Sequence, residues 1–219
     1  MSLVEKIKTH EQEILSGQTP ENLKHCPKCQ GTPQSFKSHG LRDRIFLVII
    51  GAFVHQIQSF LGRWKCPLCH CSFTYYPDFA LPFKRYLKDS ILPLARTYVE
   101  EDTSTYRKVV QDNDSAIGYA SSEQKEGIDE RQLHGSTIWR WLSFIGSLKQ
   151  ILCQGLAIIR QKSPSSCVFR EIRPVHSHKY KSEKRKVLLG FSQRFFVAET
   201  AFSQLFGSSI FPRFATGYL

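Results

Sequence analysis

Two short segments carry the clearest chemistry in this chain: Cys26-Pro27-Lys28-Cys29 and Cys66-Pro67-Leu68-Cys69, separated by residues 30–65. Two residues between thiolates let both sulfurs of one tight turn face a single ion. Two such turns complete the tetrahedral S4 set that zinc favours. A centre with four thiolates keeps no open coordination position, so it folds a module rather than activating water. Three other readings compete for these residues: a thioredoxin-like redox CxxC, an iron–sulfur site, and unliganded buried cysteines. Two knuckles and no βαβ pattern weigh against the first. Cys26, Cys29, Cys66 and Cys69 are therefore expected to hold one structural Zn2+ ion. His70 and Cys71 beside the second knuckle, and His25 and His39 around the first, are read as bystanders because Cys69 already completes the spacing. Cys153 and Cys167 lie far off and are expected to be small buried hydrophobes.

Cations gather around the same segment. Between Cys26 and Tyr76 stand Lys28, Lys37, Arg42, Arg44, Arg63 and Lys65 against Asp43 alone, a surface able to neutralise phosphates. Trp64 lies among them and is expected to pack on a small core more readily than to stack on a base. The whole chain repeats the bias, with 30 Lys and Arg against 19 Asp and Glu and a net charge of +11. That balance favours a polyanionic partner, nucleic acid or an anionic membrane surface. No membrane span is expected: Ile45 to Val54 is too short, and Ile138 to Ile159 carries Arg140, Lys149, Gln150 and Gln154. Residues 1–20 alternate charged and apolar side chains without a secretory pattern, which places the chain in the cytoplasm. There a reducing environment keeps its seven cysteines available for metal rather than disulfides.

The elements that must position these residues follow from periodicity. Leu3, Ile7 and Ile14 or Leu15 suit a short helix. The β-prone runs Ile45–Ile50, Phe53–Ile57, Gly62–Lys65 and Ser72–Tyr76, broken by Gly40, Gly51 and Gly62, predict a small β module. After Pro82 the spacing of Tyr86, Ile91, Leu94 and Tyr98 turns helical, with Pro93 expected to kink or restart the helix. Residues 112–131 are polar and acidic and read as a connection. Ser136 is the expected N-cap of a long helix through Ile138, Leu142, Ile145, Leu148, Leu152, Leu156 and Ile159. The tail carries a basic run from Arg173 to Lys186 and a Phe-rich end. The expected fold class is α+β: an N-terminal helix (1–22), a small β zinc ribbon (23–80), an all-α, helix-turn-helix-like region (81–162), and a basic, partly disordered C-terminal tail (163–219).

The knuckles sit in a longer pattern. His39-Gly40-Leu41-Arg42-Asp43-Arg44 follows the first, Arg63-Trp64-Lys65 leads into the second, and Ser72-Phe73-Thr74 leaves it. Over residues 26–83 this order resembles the zinc-ribbon head of insertion-sequence transposases. Ser136-Thr137-Ile138-Trp139-Arg140-Trp141-Leu142 is similar to the start of that family's recognition helix, with Ser104–Gln111 as the candidate supporting helix. The resemblance implies an RNase H-like catalytic domain whose three carboxylates hold two metal ions. After Glu130, however, the chain has no Asp and only Glu171, Glu183 and Glu199, so catalytic activity is not carried over.

The expected function is zinc-dependent binding of double-stranded DNA, of mobile-element type and without cutting, at the nucleoid. Arg42, Arg44, Arg63 and Lys65 would meet phosphates. Thr137, Trp139 and Arg140 would project from the recognition helix, with Arg140 directed to guanine. Lys184, Arg185 and Lys186 would add phosphate contacts from the tail. A homodimer or a transposase partner fits the same expectation. The competing readings are a host transcription regulator with the same modules, the DNA-binding part of a split or truncated transposase, a divergent nuclease, and a zinc-stabilised protein-interaction module. Ile138–Ile159 also reads as a core helix that never touches DNA. His176-Ser177-His178 with Tyr180 faintly suggests a His-x-His nuclease and is set aside, since no acidic metal partner accompanies it.

Overall fold

Ser2 opens the first helix. Its Oγ accepts the Glu5 amide at 3.2 Å while the Glu5 carboxylate accepts the Ser2 amide at 2.6 Å, a reciprocal cap that satisfies donors a helix start leaves unpaired. The helix that follows, α1 (Leu3–Leu15), buries Ile7, His10 and Ile14 along one stripe and leaves Leu15 exposed. The computed structural model describes residues 2–101, 104–112, 115–120, 132–170, 182–211 and 214–216. Among them the chain is mixed α+β, with six α-helices and a small, mainly antiparallel sheet, divided into two units.

The first unit comprises Met1–Val48, His55–Lys88 and Pro212–Leu219. Its sheet is built on β1 (Lys37–Ile50) and β2 (Phe53–Lys65), with β3 (Ser72–Tyr75) antiparallel to β2 and Trp64 opposite Phe73. Gly51 turns the hairpin at φ 57, a conformation that a Cβ resists. The strands are longer than the sequence runs suggest, because neither Gly40 nor Gly62 breaks them. A Cβ at Gly62 would lie 2.8 Å from Trp64 Nε1 and 2.9 Å from Ile14 Cδ1. This glycine therefore lets α1 and an indole approach the strand.

Two apolar clusters hold the unit together. Ile7 packs with Phe46, Val48, Leu61, Tyr76, Phe79, Ala80 and Leu87. Ile14 packs with Leu23, Phe36, Trp64, Phe73 and Tyr75, and with Cys26 and Cys66. The N-terminal helix, set apart from the β module by sequence, thus supplies both clusters with a side chain.

The second unit comprises Ile49–Val54 and Asp89–Phe211. Pro93 does not interrupt α2 (Lys88–Glu100), which runs through it as one helix. The expected helix Ser104–Gln111 shortens to α3 (Tyr106–Val109), started by the Thr105 side chain accepting the Lys108 amide. Two short strands, β4 (Gln111–Asp112) and β5 (Ser115–Ala116), pair with each other, and β6 (Gly118–Tyr119) runs parallel to the start of β2.

The long helix expected from Ser136 is two helices, α4 (Ser136–Ser147) and α5 (Lys149–Lys162), bent by 58°. The break falls at a Gly-Ser pair, a common cause of kinks. The Ser147 hydroxyl donates to Phe144 O at 2.6 Å and Leu148 leaves helical geometry. Ser136 is the first helical residue, not the cap. Gly135 holds the cap position without a side chain to offer, and His134 Nδ1, one residue earlier, accepts the Ser136 amide at 3.1 Å.

The expected basic tail also differs. After a short turn at Cys167–Phe169 comes α6 (Glu183–Phe206), which packs on α4 and α5 and buries Leu189, Ser192, Phe195, Phe196 and Glu199. A side chain at Gly146 would run into Leu188, and one at Gly155 into Ile210. Buried Glu199 accepts from the Ser209 hydroxyl at 2.7 Å and the Ile210 amide at 2.8 Å, fixing the segment beyond the helix. The chain then returns to the first unit, where β7 (Phe214–Thr216) pairs antiparallel with β3. Among the described residues no single helix is long and apolar enough to cross a membrane.

Candidate metal centre

Each CPxC segment folds into the same turn. In the first, the Gln30 amide donates to Cys26 O at 2.9 Å and the Cys26 amide to Gly31 O at 3.0 Å. In the second, the His70 amide donates to Cys66 O and the Cys66 amide to Cys71 O, both at 2.9 Å. Gln30 and His70 both take positive φ, at 58 and 59. The first turn precedes β1 and the second joins β2 to β3, so the sheet brings together cysteines that lie far apart in sequence.

The four Sγ atoms of Cys26, Cys29, Cys66 and Cys69 lie within 4.8 Å of one another. Cys26 Sγ is 3.6 Å from Cys69 Sγ, and Cys29 Sγ is 3.9 Å from Cys66 Sγ. Both separations are far beyond the ~2.05 Å of a disulfide. They match the edge, about 3.8 Å, of a sulfur tetrahedron around an ion with metal–sulfur bonds of ~2.3 Å. These four cysteines form a site that could hold a metal ion. Cys26 and Cys66 are buried, Cys69 half-buried and Cys29 exposed. Burial pushes the Cys26 thiol up to about 12, while the Cys71 backbone amide draws Cys69 down to about 7. An ion here would displace protons from the buried thiols.

His70 and Cys71 stand outside the cluster. His70 is exposed, and the Cys71 thiol donates to Ser72 O at 3.5 Å. Cys153 and Cys167 are exposed, against expectation, because each falls on the solvent side of its short element. Among the described residues the four cysteines are the only group of three or more His, Cys, Asp or Glu side chains placed to share an ion.

The Arg63-Trp64-Lys65 segment of β2 splits by strand alternation. Trp64 is buried beside Cys26 and Cys66, whereas Arg63 is exposed and Lys65 half-exposed. Arg42 lies in the run Lys37–Asp43, which is exposed throughout. Arg44 is held by its own unit: its guanidinium donates to Lys84 O and lies 6.0 Å from the Phe46 ring centroid. Burial, then repulsion from Arg42 and Arg85 against a favourable Tyr76 contribution, lowers its proton affinity. Arg42, Arg44 and Arg85 share a cleft of about 710 Å³ with Ser59, Glu11 and Asp43. Arg85 escaped the sequence reading because nothing in its spacing links it to the others.

The remaining predicted contacts lie in the second unit. Thr137 and Trp139 are half-buried on α4 and Arg140 is exposed. The Arg185 guanidinium sits 5.1 Å from the Trp139 ring centroid, so the structure brings a residue of the expected tail against the expected recognition helix. Lys184 is exposed, while Lys186 forms an ion pair with Glu183 at 2.6 Å. Residues 110–135 separate α3 from α4, far more than the short turn of a helix-turn-helix. The His176-Ser177-His178 segment, Arg173–Lys181, and most of the acidic connection, including residues 121–131, lie outside the described residues. Comparison with known protein families, curated proteins and solved structures finds no match to this chain.

Proposed function

We propose that this chain is a zinc-folded DNA-binding protein of mobile-element type that recognises double-stranded DNA without cutting it. The observation that carries the proposal is the four-sulfur cluster with Arg63 and Lys65 on the strand leading into it and Trp64 turned to the core between them. A set of four thiolates at tetrahedral spacing favours zinc over harder ions. Cys26, Cys29, Cys66 and Cys69 would hold it, and a closed S4 site supplies folding energy rather than a reactive water. The likeness of residues 26–83 to the zinc-ribbon head of insertion-sequence transposases supports the same assignment. Arg42, Arg63 and Lys65 then meet phosphates, and Arg140, exposed near the start of α4, reaches toward base edges.

Anisotropy of labelled duplex DNA, titrated at several salt concentrations before and after chelation, tests this function. Binding that weakens steeply with salt and collapses on metal removal supports it. A folded, zinc-loaded chain with no affinity for duplex DNA overturns it and favours a protein-interaction module.

A further inference from the structure

A cleft of about 810 Å³ lies within the second unit, beside the start of α4. The rings of Tyr106 and Trp139 line it together with apolar Val110 and Leu133, and Arg107 and Arg185 supply its cationic groups. Gln111, Gln132 and His134 add hydrogen-bonding groups, and among the described residues no carboxylate lines the space. The walls are held in place. A Cβ at Gly135 would lie 3.0 Å from both Tyr106 Cβ and Tyr106 O, so the chain entering α4 is packed onto α3. Tyr106 is stacked on Tyr98 with ring centroids 4.3 Å apart and 17° between planes. The Arg185 guanidinium covers Trp139 at 5.1 Å.

The end of the helix does not make this an anion site. The Ser136 amide is taken by His134 Nδ1, the Thr137 amide by His134 O, and the Ile138 amide by Gly135 O. Positive charge in the cleft comes from the two guanidiniums. Aromatic faces, amide groups and two guanidiniums, with no acid among the described lining residues, match the parts of a nucleotide: a planar base and a phosphate. The volume lies within the ~300–1,000 Å³ of small-molecule sites. A paired base in a duplex offers only its edges, so ring walls serve a base that is not stacked in a duplex.

We propose that this cleft binds a single nucleotide, its base against Trp139 and Tyr106 and its phosphate on Arg107 and Arg185. The nucleotide is an unpaired residue of the DNA, a source that rests on the DNA-binding function above; a free mononucleotide has the same chemistry.

The test uses the full, zinc-loaded chain and three probes: a blunt duplex, the same duplex with a one-strand overhang carrying 2-aminopurine, and dAMP. The expected result is roughly tenfold tighter binding of the overhang duplex, the scale of one base–aromatic stack, with 2-aminopurine fluorescence quenched. The overhang-to-blunt ratio should fall toward one in Trp139→Ala and Arg107→Gln, and recover in Trp139→Phe. Arg63→Gln should weaken both duplexes together and keep the ratio. Saturable dAMP binding, lost in Trp139→Ala, without any overhang preference supports the site with a free nucleotide as its ligand. Equal affinity for the two duplexes, unquenched 2-aminopurine and no dAMP binding overturn the proposal. Failure of the DNA-binding function is read separately, from the blunt duplex alone.

Discussion

Gln30 and His70 occupy the same place in two copies of one turn, at φ 58 and 59, each amide donating to the carbonyl of the cysteine four residues earlier at 2.9 Å. Both carry a Cβ in a conformation that costs an L-residue roughly 1–2 kcal/mol. The strain persists because each turn directs two sulfurs to the cluster.

A β-branched side chain at either position should therefore loosen the site. Gln30→Val is expected to cost about 1–2 kcal/mol beyond the native strain, lowering the chelator concentration that strips half the metal by roughly tenfold. Gln30→Gly, free of that strain, should hold the ion at least as well as the native chain. Equal chelator sensitivity for the Val and Gly variants would show that the turn is not strained.

The cluster also predicts which substitutions matter for stoichiometry. Cys66→Ser should abolish stable metal binding and, with it, the thermal transition of the first unit. Cys71→Ser and His70→Ala should leave one ion per chain, measured by elemental analysis and by the thiolate charge-transfer band of the cobalt-substituted protein. Loss of the ion in Cys71→Ser would place that sulfur in the coordination sphere.

Neighbouring residues of β2 should behave in opposite ways. Trp64→Ala removes a side chain that is 1% exposed and should cost about 3–5 kcal/mol in denaturant unfolding. Arg63→Gln should leave unfolding within about 0.5 kcal/mol and reduce the salt dependence of DNA binding by about one phosphate. An unchanged salt slope would remove Arg63 from the proposed DNA contacts.

His10 makes the first unit sensitive to acid. Burial, opposed in part by Asp78 and the Phe60 backbone, lowers its pKa from 6.5 to about 4. Between those values the unfolded chain binds more protons than the folded one, so stability falls as pH drops from 6.5 to about 4 and levels off below. The loss is on the order of 3 kcal/mol. Metal release adds its own pH dependence, so the relevant measurement is the difference between native and His10→Leu unfolding curves. A flat difference across that window would mean that the ring is not held neutral.

How much of this was legible in sequence depended on how local the physics was. The CPxC turns fix their own sulfurs within a few residues, so Cys26, Cys29, Cys66 and Cys69 could be read directly. The alternation of Arg63, Trp64 and Lys65 needed only the period of a strand. The break at Gly146-Ser147 was hidden because apolar spacing runs on from Leu142 and Ile145 before it to Leu148 and Leu152 after it. Helix α6 was masked by its charged first turn, Glu183 to Lys186, although Leu189, Ser192, Phe195, Phe196 and Glu199 keep helical spacing. Arg185 on Trp139 and the burial of His10 depend on chain segments meeting in space, which no periodicity records.

The partners of the first knuckle lie 37 and 43 residues downstream. A nascent chain emerging from the ribosome therefore carries Cys26 and Cys29 as an incomplete chelate until Cys69 has been made. The whole hairpin from Lys37 to Lys65 lies inside the loop that an ion at the four cysteines would close. If the site takes up its ion, supply of the metal, rather than synthesis of the hairpin, would set how long this basic segment stays open to proteases.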